Sequence, residues 1–208
     1  RIGDERIAVA GFTNLTRDHL DYHGTMENYF QAKRRVFTMC KTAVINIDDE
    51  YGKRLAQEFS DIAVTYSAEG NADYHAEFIR MNATGCSYML VNEREKTACR
   101  VDMNMTGLYN VQNSLCAIAM VTALGFDMTE CAKALSDLDG VDGRMNVVYR
   151  GDFTVITDYA HTDDALIKVL STLKPLTKGR LICVFGAAGD RDKEKRPMMA
   201  KAAEDNAD

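Results

Sequence analysis

Two imidazoles and two carboxylates fall within the six residues Asp18-His19-Leu20-Asp21-Tyr22-His23, soon after an apolar run, RIAVAGF from Arg6 to Phe12, that reads as a buried strand. Positions beyond the carboxyl end of a parallel strand are where α/β folds place ligands. Histidine nitrogens beside hard carboxylate oxygens suit a divalent metal, and this spacing names no particular one. The plainer reading is a polar loop with a capping aspartate and a surface histidine. The next residue of interest is Lys33. Met26, Tyr29, Phe30, Val36, Phe37 and Cys40 form the i, i+3, i+4 stripe of a core-facing helix. Lys33 sits inside that stripe, whereas Gln31, Arg34 and Arg35 fall on the opposite face. A lysine on a buried face is costly unless it snorkels, pairs or is neutralised. Snorkelling is the simpler account, and the acid- and imidazole-rich stretch just upstream argues against it. A desolvated lysine also has a lowered pKa, which leaves a nucleophilic amine.

Further along, Asn110 and Asn113 open an otherwise apolar helix in GLYNVQNSLCAIA. Capping accounts for one of them; a second amide is available to read a ligand edge such as a purine. Arg144 lies in a glycine-bearing hinge, GVDGR, ahead of TDYAH, where Asp158 and His161 stand between a strand and a helix. Here too a simple helix cap is the alternative. In VFGAAGDRDKEKRP, Gly186 and Gly189 allow tight turns and close backbone approach. Arg191 and Lys193 suit a carboxylate or phosphate, the alternative for Lys193–Arg196 being a solvated charged loop. The third glycine of a dinucleotide fingerprint is absent.

The elements that must position these residues follow from periodicity and caps. A helix capped by Thr25 is predicted to about Cys40, then a strand at Thr42–Ile47 and a helix capped by Asp48 or Asp49. A short strand over 63–68 precedes an antiparallel meander over 73–106. Helices are predicted over Tyr109–Leu124, closed by Gly125, and Thr129–Leu138. Beyond the hinge come a strand in FTVITDYA, a helix at Asp163–Leu173, a strand over 180–186, and a helix with Pro197 in its first turn. That last β-α-β-α run is the pattern of a separate parallel α/β domain, with a boundary near 145–150.

Composition is that of a globular protein: 208 residues, 46% hydrophobic and 27% charged. The net charge of -6 argues against a nucleic-acid partner. No apolar stretch of about 18 residues is present to span a membrane. The six cysteines are scattered without a C-x-x-C pair, as free thiols in a reducing cytoplasm would be.

In order, TNLTRDHLDYHGTMENYFQAK, NIDDEYG, GLYNVQN, GRMNVV, DYAHTDDAL and FGAAGDRDKEKRPMM resemble the successive motifs of the Mur ligase family, MurE type, over essentially the whole chain. The resemblance implies residues 1–146 as part of a central ATP-binding domain, a mostly parallel sheet with an antiparallel portion. It implies 147–208 as the start of a Rossmann-like C-terminal ligase domain. The family's UDP-binding domain and P-loop have no counterpart here, so the chain reads as an internal fragment, inactive alone. The implied reaction adds a diamino acid, with meso-diaminopimelate expected over lysine, to UDP-N-acetylmuramoyl-L-alanyl-D-glutamate through an acyl phosphate, using ATP and Mg²⁺. By resemblance Lys33 is a carbamylated lysine that ligates the metal with His19. Asn110 is similar to the adenine contact, Asp158 to the ribose contact and Arg144 to the phosphate contact, and His161 lies in the motif lining the nucleotide. Arg1 corresponds to a contact with the UDP-linked substrate, Arg191 to one with the amino acid's carboxylate. A cytoplasmic bacterial monomer is expected. The family usually has proline at Asp163, a glycine-richer turn at Ala187-Ala188 and a small residue at Glu194, and the last two bear on the acceptor pocket. The rival readings are a related Mur or folylpolyglutamate ligase, a metal-dependent phosphohydrolase, and a non-catalytic binding module.

Overall fold

The computed structural model describes residues 7–82, 85–187 and 193–208. Strands β1 (Ile7–Phe12), β2 (Cys40–Asn46) and β3 (Ala63–Ser67) lie parallel and adjacent. Ala43, Val44 and Ile45 of β2 are fully buried, the unbroken apolar run that a strand covered on both faces requires. β4 (Tyr74–Asn82) continues the parallel order through two register pairs, Tyr66 with Tyr74 and Ser67 with His75. From there β5 (Gly85–Asn92) and β6 (Thr97–Met103) run antiparallel, completing a six-stranded sheet in sequence order.

One face of the parallel strands is covered by α1 (Leu20–His23), α2 (Met26–Arg34), a 3₁₀ turn at Arg35–Thr38 and α3 (Glu50–Glu58). Phe30, Phe37 and Leu55 pack there on Phe12, Ala43 and Ile45. The opposite face takes α4 (Leu108–Thr122) and α5 (Met128–Ser136), whose Leu115, Ile118 and Ala132 meet Val44, Tyr66, Leu90 and Val101. Each large apolar side chain so buried contributes about 1.5–3 kcal/mol. α2 stops short of the expected Cys40 because Cys40 already pairs with Ile7 as the first residue of β2. The chain makes that turn by tightening into the 3₁₀ segment. Gly52 in α3 is needed for close approach, since a Cβ there would collide with the Asn46 carbonyl oxygen.

Beyond the hinge, β7 (Asn146–Arg150) and β8 (Thr154–Thr157) form an antiparallel hairpin. Helix α6 (Asp163–Leu173), capped by Thr162, is followed by a 3₁₀ turn at Lys174–Leu176 and by α7 (Lys195–Asn206). Leu166, Met199 and Ala202 make their small core, with Cys183 packed against it. β7 was not expected, and the strand predicted over 180–186 pairs with nothing among the described residues. The reason lies in the sequence of that stretch. It is apolar on both faces, which suits a strand flanked on both edges and covered on both sides. Its candidate neighbour β8 is paired with β7, and Ile182 and Val184 stand 68% and 92% exposed. No helix among the described residues is long and apolar enough to cross a membrane.

Candidate active site

The loop leaving β1 is held by backbone-directed bonds from two strands and a helix cap. Tyr66 donates its hydroxyl to the Phe12 carbonyl at 3.1 Å, and Asn46 donates its amide to the Thr13 carbonyl at 2.8 Å. Asp49 works twice. One oxygen caps α3 through the Tyr51 and Gly52 amides at 2.9 and 3.1 Å, while the other accepts from Leu15 N at 3.1 Å. Asp49 is therefore the cap that sequence alone left open between two aspartates. Asp48 turns to β3, accepting from Ser67 Oγ and, at 2.9 Å, from Ala68 N.

Against this fixed loop stands Lys33. Its ammonium donates to the Asn14 carbonyl at 3.2 Å and lies 5.9 and 5.3 Å from the ring centres of Phe12 and Tyr29. Burial lowers its pKa, with Asp49 and Asp18 acting against the shift. Lys33 is thus half-buried and, among the described residues, has no carboxylate within bonding distance. His23 stacks on Tyr29 with centroids 4.6 Å apart, and His19 meets the same ring edge-on at 6.1 Å. His19 has a left-handed backbone, φ 54°, which turns its side chain back over Asp18.

Asp18 is the meeting point of the two halves of the chain. Its Oδ2 lies 3.4 Å from Nε2 of both His19 and His161, and its Oδ1 lies 3.7 Å from Nζ of Lys195. Burial alone would raise the Asp18 pKa; the His19 amide and the electrostatic influence of His19, Lys195 and His161 bring it below the ordinary carboxylate value. A second interdomain pair, Arg17 to Glu194 at 2.6 Å, lies beside it.

The hinge residues form a second group. Asp158 accepts from Met145 N at 2.9 Å and from Ala160 N at 2.8 Å, so each oxygen retains a lone pair. Its cap is on the hinge and the turn rather than on α6, which Thr162 caps. Met145 has φ 48°, a conformation that a bulky side chain adopts only when its surroundings hold it. Arg144 lies over the Tyr159 ring at 4.8 Å, and the Tyr159 carbonyl contacts His161 Nδ1 at 2.8 Å. Asn110 is buried and donates to the Thr106 carbonyl at 2.8 Å, leaving Oδ1 as an acceptor; Asn113 is exposed, so the two amides do not act together. Tyr109 folds over Gly107, whose φ of 106° and missing Cβ make room for the ring. A cleft of about 310 Å³ is lined by Asn14, Asp48, Asp49, Tyr109, Gln112 and Lys168. A larger groove, about 390 Å³, sits at the far end of the antiparallel strands beside Arg80 and Arg100. None of the residues above lines it; Asn46, Asp48, Asp49 and Tyr109 line the smaller cleft, whereas Asp18, Lys33, Asp158 and His161 do not. Arg1 and Arg191 lie outside the described residues.

Sequence reasoning missed Lys195, and the signal was present. Lys195, Met199 and Ala202 stand at i, i+4 and i+7 on the buried face of α7, the same stripe logic that singled out Lys33.

Residues 1–121 match the model of the Mur ligase middle domain, and 143–208 that of the Mur ligase glutamate ligase domain. A UDP-N-acetylmuramoyl-L-alanyl-D-glutamate--2,6-diaminopimelate ligase of Fusobacterium nucleatum is 44% identical over 205 residues, 95% of this chain and 41% of that one. The Bacillus licheniformis protein of the same name is 44% identical over 210 residues, 96% of this chain and 43% of its own length. A solved structure of a ligase of that name superposes with a TM-score of 0.71 at 38% identity, covering 97% of this chain and 42% of that one. The chain spans about two fifths of the length of the curated relatives it matches.

Proposed function

The chain belongs to the Mur ligase family, and from that premise we propose that it carries the interdomain site of an ATP-dependent amide ligase. The reaction joins meso-diaminopimelate to UDP-N-acetylmuramoyl-L-alanyl-D-glutamate in the bacterial cytoplasm, in a protein acting as a monomer. Residues 1–146 belong to the ATP-binding domain and 147–208 to the ligase domain. The observation that carries this reading is the convergence on Asp18 of His19 from one part and His161 and Lys195 from the other.

The carboxylate of the D-glutamate attacks the γ-phosphorus of ATP, ADP departs with the bond pair, and the amine then displaces phosphate from the acyl carbon. The residues divide this work. Asn110 Oδ1 accepts from the adenine amino group, and Asp158 uses its spare lone pairs for the ribose hydroxyls. Arg144 takes up phosphate when it leaves Tyr159, and His161 lines the nucleotide. Arg1 and Arg191 bind the UDP-linked substrate and the amino acid's carboxylate.

The donor set fits Mg²⁺ in one form only. Among the described residues no three His, Cys, Asp or Glu side chains cluster as a metal cage. Mg²⁺ does not need one, since it is commonly held by one or two protein oxygens with phosphates and water. His19 and Lys33 both face the Tyr29 ring, and Lys33 supplies an oxygen once its amine has taken up CO₂ as a carbamate. The metal would neutralise charge on the transferring phosphoryl group. The lowered pKa of Lys33 supports the carbamate, because CO₂ reacts with the neutral amine.

The test is the full-length protein given ATP, the UDP-linked dipeptide and either diamino acid, with product read by mass. ATP-dependent gain of diaminopimelate is expected. Lysine addition in its place overturns the acceptor assignment, and ATP cleavage without amide formation overturns the ligase.

A further inference from the structure

We propose that Lys195 is a second-domain lysine that binds the transferring phosphoryl group, and that Asp18 holds it in readiness while the site is empty. The proposal deepens the ligase reading and rests on it for the identity of the anion.

Lys195 occupies a costly position. It is the first residue of α7, where a cation meets the positive end of the helix dipole. Only 13% of its side chain is exposed, so the ammonium is largely desolvated. Among the described residues its ion-pair partner is Asp18 at 3.7 Å, which is too long for a hydrogen bond. Among the described residues its three N–H donors thus meet no acceptor at hydrogen-bond distance. Asp18 is shared as well, since both imidazoles lie 3.4 Å from its other oxygen. A lysine kept for helix stability would face solvent, as Lys201 does on the same helix through its pair with Asp205. Unspent donors on a half-dry cation are suited to an incoming anion.

The position identifies that anion. Lys195 faces the same carboxylate as His19. It does so from the part of the chain that carries Arg144, Asp158 and His161. In the ligase reading a phosphoryl group passes from nucleotide to carboxylate between these two parts of the chain. In that step the carboxylate oxygen bonds to the γ-phosphorus, the bond from phosphorus to the β,γ-bridging oxygen breaks, and its electron pair leaves with ADP. No proton moves. Lys195 donates to a γ-phosphoryl oxygen before and during transfer, so it contributes only while the two parts of the chain are in contact.

Lys195→Met in the full-length protein separates this from a structural role. Loss of one such donor predicts a fall in kcat/KM of about 100-fold. In calorimetric titrations ATP affinity should drop about tenfold, as for a charge-assisted hydrogen bond, while ADP affinity stays within about twofold. Thermal stability should hold, because methionine suits a site beside Met199, and Lys195→Arg should recover part of the loss. Lys201→Met is the control, with activity unchanged. Equal weakening of ATP and ADP, or a fall in melting temperature that tracks the activity loss, would make Lys195 a domain strut and overturn the proposal. So would ATP affinity that does not change. A wild-type protein that binds ATP but forms no amide sinks the ligase reading and leaves the ATP-to-ADP ratio as a test of Lys195.

Discussion

The loop after β1 and the segment from Met145 onward are held in opposite ways. The loop is tied at Phe12, Thr13 and Leu15 to Tyr66, Asn46 and Asp49 and backs onto a core containing Phe30, Phe37 and Leu55. The later segment buries few apolar side chains, among them Leu166, Leu170, Met199 and Ala202, and exposes Ile182 and Val184. It meets the first part through ion pairs at Asp18 and Arg17. A pre-built half fixes the geometry, and a loosely held half brings charge to it. The Arg17–Glu194 and His161–Asp18 pairs are exposed enough to be worth little individually, whereas the Lys195–Asp18 pair is largely buried.

The comparison is broken most severely at Lys33. Lys33→Ala in the full-length enzyme should cost about 10³-fold or more in kcat, as expected when a charge-neutralising ligand is lost. Lys33→Arg should not rescue it, and wild-type activity should depend on bicarbonate after CO₂ is removed. Near-normal turnover of the arginine variant would return Lys33 to the core. Stability should move the other way. A lysine whose folded pKa lies below its unfolded value opposes folding wherever the unfolded side chain binds the extra proton. That penalty is full below the folded pKa and disappears as pH rises to the unfolded one. Lys33→Met should therefore raise the urea midpoint at neutral pH, and the gain should shrink in alkaline buffer.

Asp49→Ala tests the fixed half directly. It removes the α3 cap, worth about 1 kcal/mol, and leaves the Leu15 amide without its acceptor, at about 1–3 kcal/mol. A loss near 2–3 kcal/mol in urea unfolding is expected, with faster hydrogen exchange at Leu15. Unchanged exchange there would mean that the loop is held without Asp49.

The hinge should respond less in stability than in function. Arg144→Ala and Asp158→Ala should each raise the KM for ATP by about tenfold, the scale of one charge-assisted hydrogen bond, with far-ultraviolet circular dichroism unchanged. Unaltered KM and kcat in both would remove the nucleotide assignment. The smallest effect belongs to the loose half. In this 208-residue chain, Val184→Ser should change stability by no more than about 0.5 kcal/mol, as at other exposed sites. A larger loss would show that the 180–186 stretch is covered in solution.

Much of the local structure was legible in the residues because it was written in local pattern. Thr25 and Asp49 cap the helices that follow them, and the alternation of the meander gave β4 to β6. The stripe around Lys33 exposed a lysine where an apolar residue belonged. Each signal spans a few residues, so a helical or pleated period reports it without knowledge of the rest. Tertiary structure decided the remainder. Nothing in the sequence puts Asp18 beside His161 and Lys195, since their contacts depend on how separately built parts meet. The fate of 180–186 was also beyond local pattern: its composition is that of a strand, and a strand exists only where a neighbour offers a ladder of donors and acceptors. Asp158 makes the same point within one residue. Its place before a turn suggested a helix cap, and packing instead gave both of its oxygens to backbone amides, at Met145 of the hinge and at Ala160.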